Sequence, residues 1–76
     1  MDQIKEEISE LVYELHEYLD GKEQSKDYEK LNSYALGLEE SLKIDELEII
    51  EKSVNSFPEE LPESFKGDIS RIKTLF

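Results

Sequence analysis

Apolar residues recur every three or four positions along most of the chain, which is the spacing of one face of an α-helix. The pattern is clearest at the start, where one stripe contains Ile4, Ile8, Leu11, Val12, Leu15 and Leu19. We expect Asp2 to cap this helix and Gly21 to end it, since aspartate accepts free N–H groups and glycine adopts the left-handed conformation that follows many helices. The pattern therefore predicts a first helix over residues 3–20.

A second stripe advances by alternating steps of three and four residues, and it contains Tyr28, Leu31, Ala35, Leu38 and Leu42. This heptad spacing is typical of helices that pack nearly parallel to one another. It predicts a second helix over residues 26–43, with Ser25 as its N-cap. Gly37 lies inside this helix, where glycine costs about 1 kcal/mol relative to alanine, so we expect it to mark the close approach of a neighbouring helix. Leu36 points away from the stripe and is either covered on a second side or exposed.

The segment 44–49, with the sequence Ile-Asp-Glu-Leu-Glu-Ile, fits a capping box. Asp45 would be the N-cap, Glu48 would stand three residues later, and the two flanking isoleucines would form a hydrophobic staple. This pattern predicts a third helix over residues 46–56, joined to the second helix by a sharp corner. Its expected buried face contains Leu47, Ile50, Val54 and Phe57.

Two prolines separate the third helix from a fourth. Pro58 ends the third helix because the residue before a proline avoids the helical conformation, and Pro62 suits the first position of the next helix. The last stripe contains Leu61, Phe65, Ile69, Ile72 and Phe76. It predicts a helix over residues 62–75, whose first turn Gly67 could separate from the rest. Because the stripe reaches residue 76, we expect the C-terminus to be docked.

Four amphipathic helices with short connections predict an all-α fold, a small antiparallel bundle that forms a single domain over residues 1–76. The first two helices should pack up and down, whereas the pattern leaves the arrangement of the other two open. Tyr28 lies on the second stripe, whereas Tyr18 and Tyr34 border their stripes, and all three should pack at the edge of the core. A chain of this length buries only about 60% of its unfolded surface, so self-association or a partner would add stability.

Charge is the feature that most restricts the function. The chain has 20 acidic and nine basic residues and a net charge of −11, and residues 1–20 carry seven acids but one base. Such a field repels nucleic acid and anionic membranes and attracts basic surfaces. In size and charge the chain is similar to small helical immunity proteins, antitoxins and phage-encoded inhibitors, but no residue motif extends this similarity to a family.

The first helix presents a candidate contact surface on the side opposite its apolar stripe. The predicted partner-binding residues are Glu6, Glu10, Tyr13, Glu14, Glu17 and Asp20. Tyrosine is enriched at binding hot spots, and carboxylates would pair with lysine or arginine on a partner. Acids at i and i+4 repel one another by a few tenths of a kcal/mol, which a cationic partner would relieve. The alternative is a solvated acidic face with an incidental tyrosine.

We therefore expect a non-enzymatic protein-binding module, an inhibitor or regulator that docks this helix on a basic surface of a partner protein. One alternative is a structural protein that forms a homodimer through Leu36, Phe57, Phe65 or Phe76. Another is a nucleic-acid mimic, because carboxylates one helical turn apart lie about 6 Å from each other, close to the spacing of adjacent phosphates. Direct binding to nucleic acid or to a membrane is not expected.

The sequence offers little material for catalysis, since it has one histidine, one arginine and no cysteine. His16, with Glu17 beside it and Asp20 one turn later, could supply part of a metal site, but a histidine at the edge of the core is the favoured interpretation. Paired carboxylates would need a water-poor cleft, for which a bundle of this size has little room. We expect no catalytic residues, no cofactor and no metal.

The sequence also gives an expectation for localisation. The acidic start differs from the basic and then apolar start of a signal peptide. No apolar run approaches the ~18 residues of a membrane span. These observations predict a cytoplasmic protein.

Overall fold

A computed structural model describes residues 2–76 and contains α1 (Asp2–Leu19), α2 (Tyr28–Ile44), α3 (Leu47–Asn55) and α4 (Glu63–Lys73). No strand occurs within these residues. The all-α prediction is confirmed, and each helix overlaps the range that the apolar spacing predicted for it.

The four helices form a closed ring of contacts. α1 packs against α2 on one side and against α4 on the other, and α3 contacts both α2 and α4. The last two helices therefore complete the bundle next to the first pair, which resolves the arrangement that the sequence left open.

One hydrophobic core joins all four helices. Its buried members are Ile4, Ile8, Leu11, Val12, Leu15, Leu19, Leu31, Tyr34, Ala35, Leu38, Ile50, Val54, Leu61, Phe65, Ile69 and Ile72. All six residues of the first predicted stripe are among them. Leu75 and Phe76 pack against this core, as expected for a docked C-terminus.

Two polar side chains lie inside the core, and both are hydrogen-bonded. The Tyr34 hydroxyl donates to the Val54 carbonyl at 2.8 Å, and the Ser41 hydroxyl donates to the Leu38 carbonyl at 2.7 Å. Tyr34 is only 7% exposed, which is deeper than the edge position predicted for it. Its hydrogen bond ties α2 to α3.

The other two tyrosines predicted at the core edge are partly exposed. Tyr18 contacts Phe65 edge to face, with ring centroids 5.6 Å apart, and so connects α1 to α4. Tyr28 packs against the core from the first turn of α2.

The predicted capping box at the start of α3 is wrong. Asp45 ends α2 instead, with a left-handed φ of 59° and its N–H donating to the Ser41 carbonyl. Its carboxylate lies 2.6 Å from the Lys5 ammonium of α1. Glu46 takes the N-cap position of α3 without a side-chain cap, and Ile44 is 47% exposed, so no staple buries it. Aspartate tolerates the left-handed region, which let the segment end one helix rather than begin the next.

Three other predicted helix starts are displaced. Asp27 rather than Ser25 precedes α2, and Pro62 precedes α4 rather than forming its first position. Asp2 is the first residue of α1 rather than its cap, and the position before it lies outside the described residues. At the other end of α1, Gly21 has the left-handed φ of 81° that its predicted role as a helix stop requires.

At four exposed positions the structure corrects the expectation from the sequence or decides between its alternatives. Leu47 is 45% exposed, because it begins α3 instead of contributing to its buried face. Leu36 is 50% exposed, which decides between the two alternatives left open for it. No atom of another helix within residues 2–76 lies within 4 Å of a Cβ placed on Gly37, so the expected close helix approach is wrong. α4 runs unbroken through Gly67, so its first turn is not separate.

Substitutions at Asp45 test whether this residue ends α2 or caps α3. Asp45→Thr should lower the free energy of unfolding by about 1–2 kcal/mol, because a β-branched residue is strained at positive φ. Asp45→Gly should have a free energy of unfolding, measured with urea, that is at least as high as that of the wild type. Both variants lose the ion pair to Lys5, so that loss cancels in the comparison. A tolerated threonine, which is a good N-cap, would restore the capping-box assignment.

Gly67→Ala should raise the free energy of unfolding by about 1 kcal/mol. The position is exposed inside α4, and the described residues leave open space for a Cβ there. Gly21→Ala is the matched control and should destabilise the protein, because its φ of 81° is strained for alanine. Equal urea midpoints for the two variants would contradict this account.

Candidate functional site

The predicted contact residues form one outward side of α1, which we call the acidic face: Glu6, Glu10, Tyr13, Glu14, Glu17 and Asp20. The buried stripe of α1 fixes its rotation in the bundle, so these residues turn to solvent, and all six are exposed. Tyr13 is 65% exposed, which makes it the most exposed large hydrophobic side chain in the described chain. The structure thus brings the predicted residues together on one surface.

Polar side chains on the two flanks of α1 have partners within the bundle. Lys5 pairs with Asp45, His16 Nε2 lies 2.9 Å from Glu39 Oε1, and Arg71 donates to Glu7 at 2.9 Å; these pairs link α1 to α2 or to α4. The five carboxylates of the acidic face have no ion-pair partner among residues 2–76. The unbalanced charge of α1 is therefore confined to its outward side.

Tyr13 lies in a shallow recess of about 440 Å³ on the acidic face. The lining residues are Ser9, Glu10, Tyr13, Glu14 and Glu17. Helical side chains lean toward the N-terminus, and the small Ser9 one turn earlier leaves the tyrosine ring accessible. An aromatic ring beside carboxylates suits a cation, most of all an arginine guanidinium. The sequence analysis missed Ser9, although its spacing of four from Tyr13 was visible.

The remaining residues occupy the ends and border of the acidic face. Glu14 also borders a recess of about 190 Å³ toward α4, where Arg71 contacts Glu7 and lies 3.8 Å from Asp68. That cation partly neutralises this border. Glu6 lies one turn before Glu10, and Asp20 stands one residue beyond the end of α1.

His16 does not assemble a metal site with the residues considered in the sequence. Its imidazole bonds to Glu39 of α2, as fits a histidine at the edge of the core. Across the described residues, histidine and carboxylate side chains do not gather in the groups of three that a metal ion would need. Within residues 2–76, none of the helices combines the length and apolar character that a membrane crossing requires.

A larger concavity, which the sequence did not predict, separates the outer sides of α2 and α3. This α2–α3 groove has a volume of about 740 Å³. Small residues line both walls, with Ser33 and Gly37 on α2, Ser53 on α3 and Ser56 directly after the end of α3. The signal in the sequence was Gly37, whose missing side chain opens a groove rather than admitting a helix.

Ionisable groups with shifted pKa values lie at the base and at one rim of the α2–α3 groove. Burial raises the pKa of Tyr34, which lies at the base, well above its usual range. At the rim, the Lys30 ammonium donates to Glu60 Oε2 at 2.9 Å. This hydrogen bond raises the pKa of Lys30 and lowers the pKa of Glu60.

No protein-family model matches the chain, and neither the curated proteins nor the solved structures include a significant match.

The buried hydroxyl of Tyr34 should make the protein sensitive to alkali. Because the folded state raises its pKa, the stabilisation is fully present below the unfolded value of about 10 and is lost as pH rises toward the folded value. Tyr34→Phe should flatten the fall in unfolding free energy between pH 9 and 11, measured with urea. At pH 7 the free energy of unfolding of this variant should be about 1 kcal/mol lower than that of the wild type, because the hydrogen bond is lost. Tyr13→Phe is the exposed control, and a slope as flat as that of Tyr34→Phe would contradict the assignment.

Proposed function

We propose that the protein is a non-enzymatic, cytoplasmic binding module that inhibits or regulates a partner protein by docking the acidic face of α1 on a basic surface. The observation that carries this proposal is the exposed ring of Tyr13 among carboxylates that have no counter-ion within residues 2–76. A folded helix that pairs its flanking charges and leaves its outward charges unpaired is suited to a cationic partner.

The repulsion between neighbouring carboxylates supports the docking of a partner on the acidic face. Glu6, Glu10 and Glu14 follow one another at i and i+4, so each neighbouring pair destabilises the helix by a few tenths of a kcal/mol. Lysine or arginine from a partner would remove this repulsion. Their complementary charge would also orient the partner as it approaches and raise the association rate. Tyr13 would supply the apolar contact that gives such an encounter a long lifetime, as tyrosines do at hot spots.

The burial of the phenylalanines weighs against the homodimer alternative. Phe65 is buried, and Phe57 and Phe76 pack against the core of the same chain, so of the four residues considered Leu36 alone is exposed. A net charge of −11 also repels a second copy. The nucleic-acid mimic is a special case of the proposal, in which the partner's basic surface is one that binds nucleic acid.

The proposal predicts that Glu10→Lys with Tyr13→Ala abolishes partner capture while the helical circular dichroism and the urea midpoint stay close to wild type. The measurement is capture from nuclease-treated lysate of the native host on immobilised protein, with a salt gradient and mass spectrometry of the eluate. A matched control is Glu51→Lys with Leu47→Ala, which makes the same charge change and removes an exposed apolar side chain on α3.

A stoichiometric protein that salt releases from wild type and from the control, but that the α1 double variant does not capture, is the expected result. Equal capture by both double variants would assign the contact to another surface. If the captured protein binds nucleic acid, competition by a DNA or RNA oligonucleotide would identify the chain as a mimic.

A further inference from the structure

The α2–α3 groove exists because small residues face each other above a fixed base. Ser33 and Gly37 stand on α2 opposite Ser53 of α3 and Ser56, which directly follows α3. Within the described chain, a Cβ built on Gly37 would meet no atom of another helix within 4 Å. The contact between the two helices runs beneath these residues, through the Tyr34 hydroxyl and the Val54 carbonyl at 2.8 Å. The groove is therefore open without any rearrangement of the fold.

The boundaries of the α2–α3 groove are held in place by interactions already described. Tyr34 at the base is buried and hydrogen-bonded, and Lys30 at the rim is bound to Glu60 of the segment between α3 and α4. The volume of about 740 Å³ falls within the range of pockets that bind small molecules. Preformed walls reduce the ordering cost that a ligand must overcome.

The groove lining contains two lysines and one glutamate, in a chain whose net charge is −11. Lys52 lines the groove, is exposed, and has no carboxylate partner among residues 2–76. Lys30 is bound to Glu60, and Glu29 brings the one carboxylate of the lining. Apolar contact comes from Tyr34, Ile49 and Pro58.

We propose that the α2–α3 groove binds a small organic anion, a carboxylate with an apolar body, whose charged group pairs with the ammonium of Lys52. The apolar body lies along the gap left by Gly37, and the hydroxyls of Ser33 and Ser53, one on each wall, are available to the carboxylate oxygens. This site is separate from the acidic face of α1 and does not depend on the function proposed for that face.

Three probes with the same eight-carbon tail distinguish this site from unspecific binding: octanoate, octanol and octylamine. The measurement is the shift of backbone amide resonances of the ¹⁵N-labelled protein during each titration. A chain with a net charge of −11 attracts the amine everywhere, so a preference for octanoate can arise only from a local cation. We expect octanoate to shift the groove amides and to bind them at least tenfold more tightly than the other two probes.

Variants assign the binding to the groove. Lys52→Gln should weaken octanoate binding about tenfold, and Lys43→Gln, the same charge change at an exposed residue outside the groove, should leave it unchanged. Gly37→Leu fills the gap with a good helix former and should abolish the shifts while circular dichroism remains helical.

Three results would overturn the proposal. Octanoate shifts that avoid the groove amides would exclude the site. Equal affinities for octanoate and octanol, or equal effects of the two lysine variants, would remove the role of Lys52. Shifts of the groove amides on concentrating the protein alone would assign the groove to a second copy of the chain.

Discussion

The burial of one side of α1 between α2 and α4 is the constraint on which the rest of the molecule depends. The stripe from Ile4 to Leu19 includes Ile8 and Leu15, which are fully buried, so α1 cannot rotate about its axis without exposing them. Full burial of such a side chain is worth about 1.5–3 kcal/mol. The direction in which the acidic side chains point is therefore set by the core and not by the charges themselves.

Once the rotation of α1 is fixed, its charged residues divide by position. Those at the flanks reach the neighbouring helices and find opposite charge, as Lys5 does with Asp45 and Glu7 does with Arg71. Exposed pairs of this kind add little stability, but they leave the outward side as the place where charge stays unbalanced. The α2–α3 groove, with its lysines, shares no lining residue with the recess on the acidic face of α1.

The periodicity of apolar residues was sufficient to predict the four helices, most of the core and the exposure of Tyr13, because burial acts on every turn of a helix. Single-residue boundaries were not predictable in the same way. Asp45 is a preferred N-cap residue that also tolerates a left-handed C-cap, and the choice depends on tertiary contacts that include Lys5 of α1. Gly37 fits a close helix crossing or an open groove, and only the positions of α2 and α3 decide between them. Sequence placed the acidic face of α1, but it contained no comparable signal for the α2–α3 groove.

The hydrogen bond from Tyr34 to Val54 also completes the end of a helix that belongs to another segment. α3 has nine residues, fewer than the roughly 12–15 that an isolated helix needs to persist in water. Of its last carbonyls, that of Lys52 accepts the Ser56 hydroxyl, that of Ser53 accepts the Ser56 N–H, and that of Val54 accepts the phenol of α2. A hydrogen bond from α2 therefore completes part of the final turn of α3. Amide exchange along α3 should thus follow the opening of α2, and the two helices form one cooperative unit.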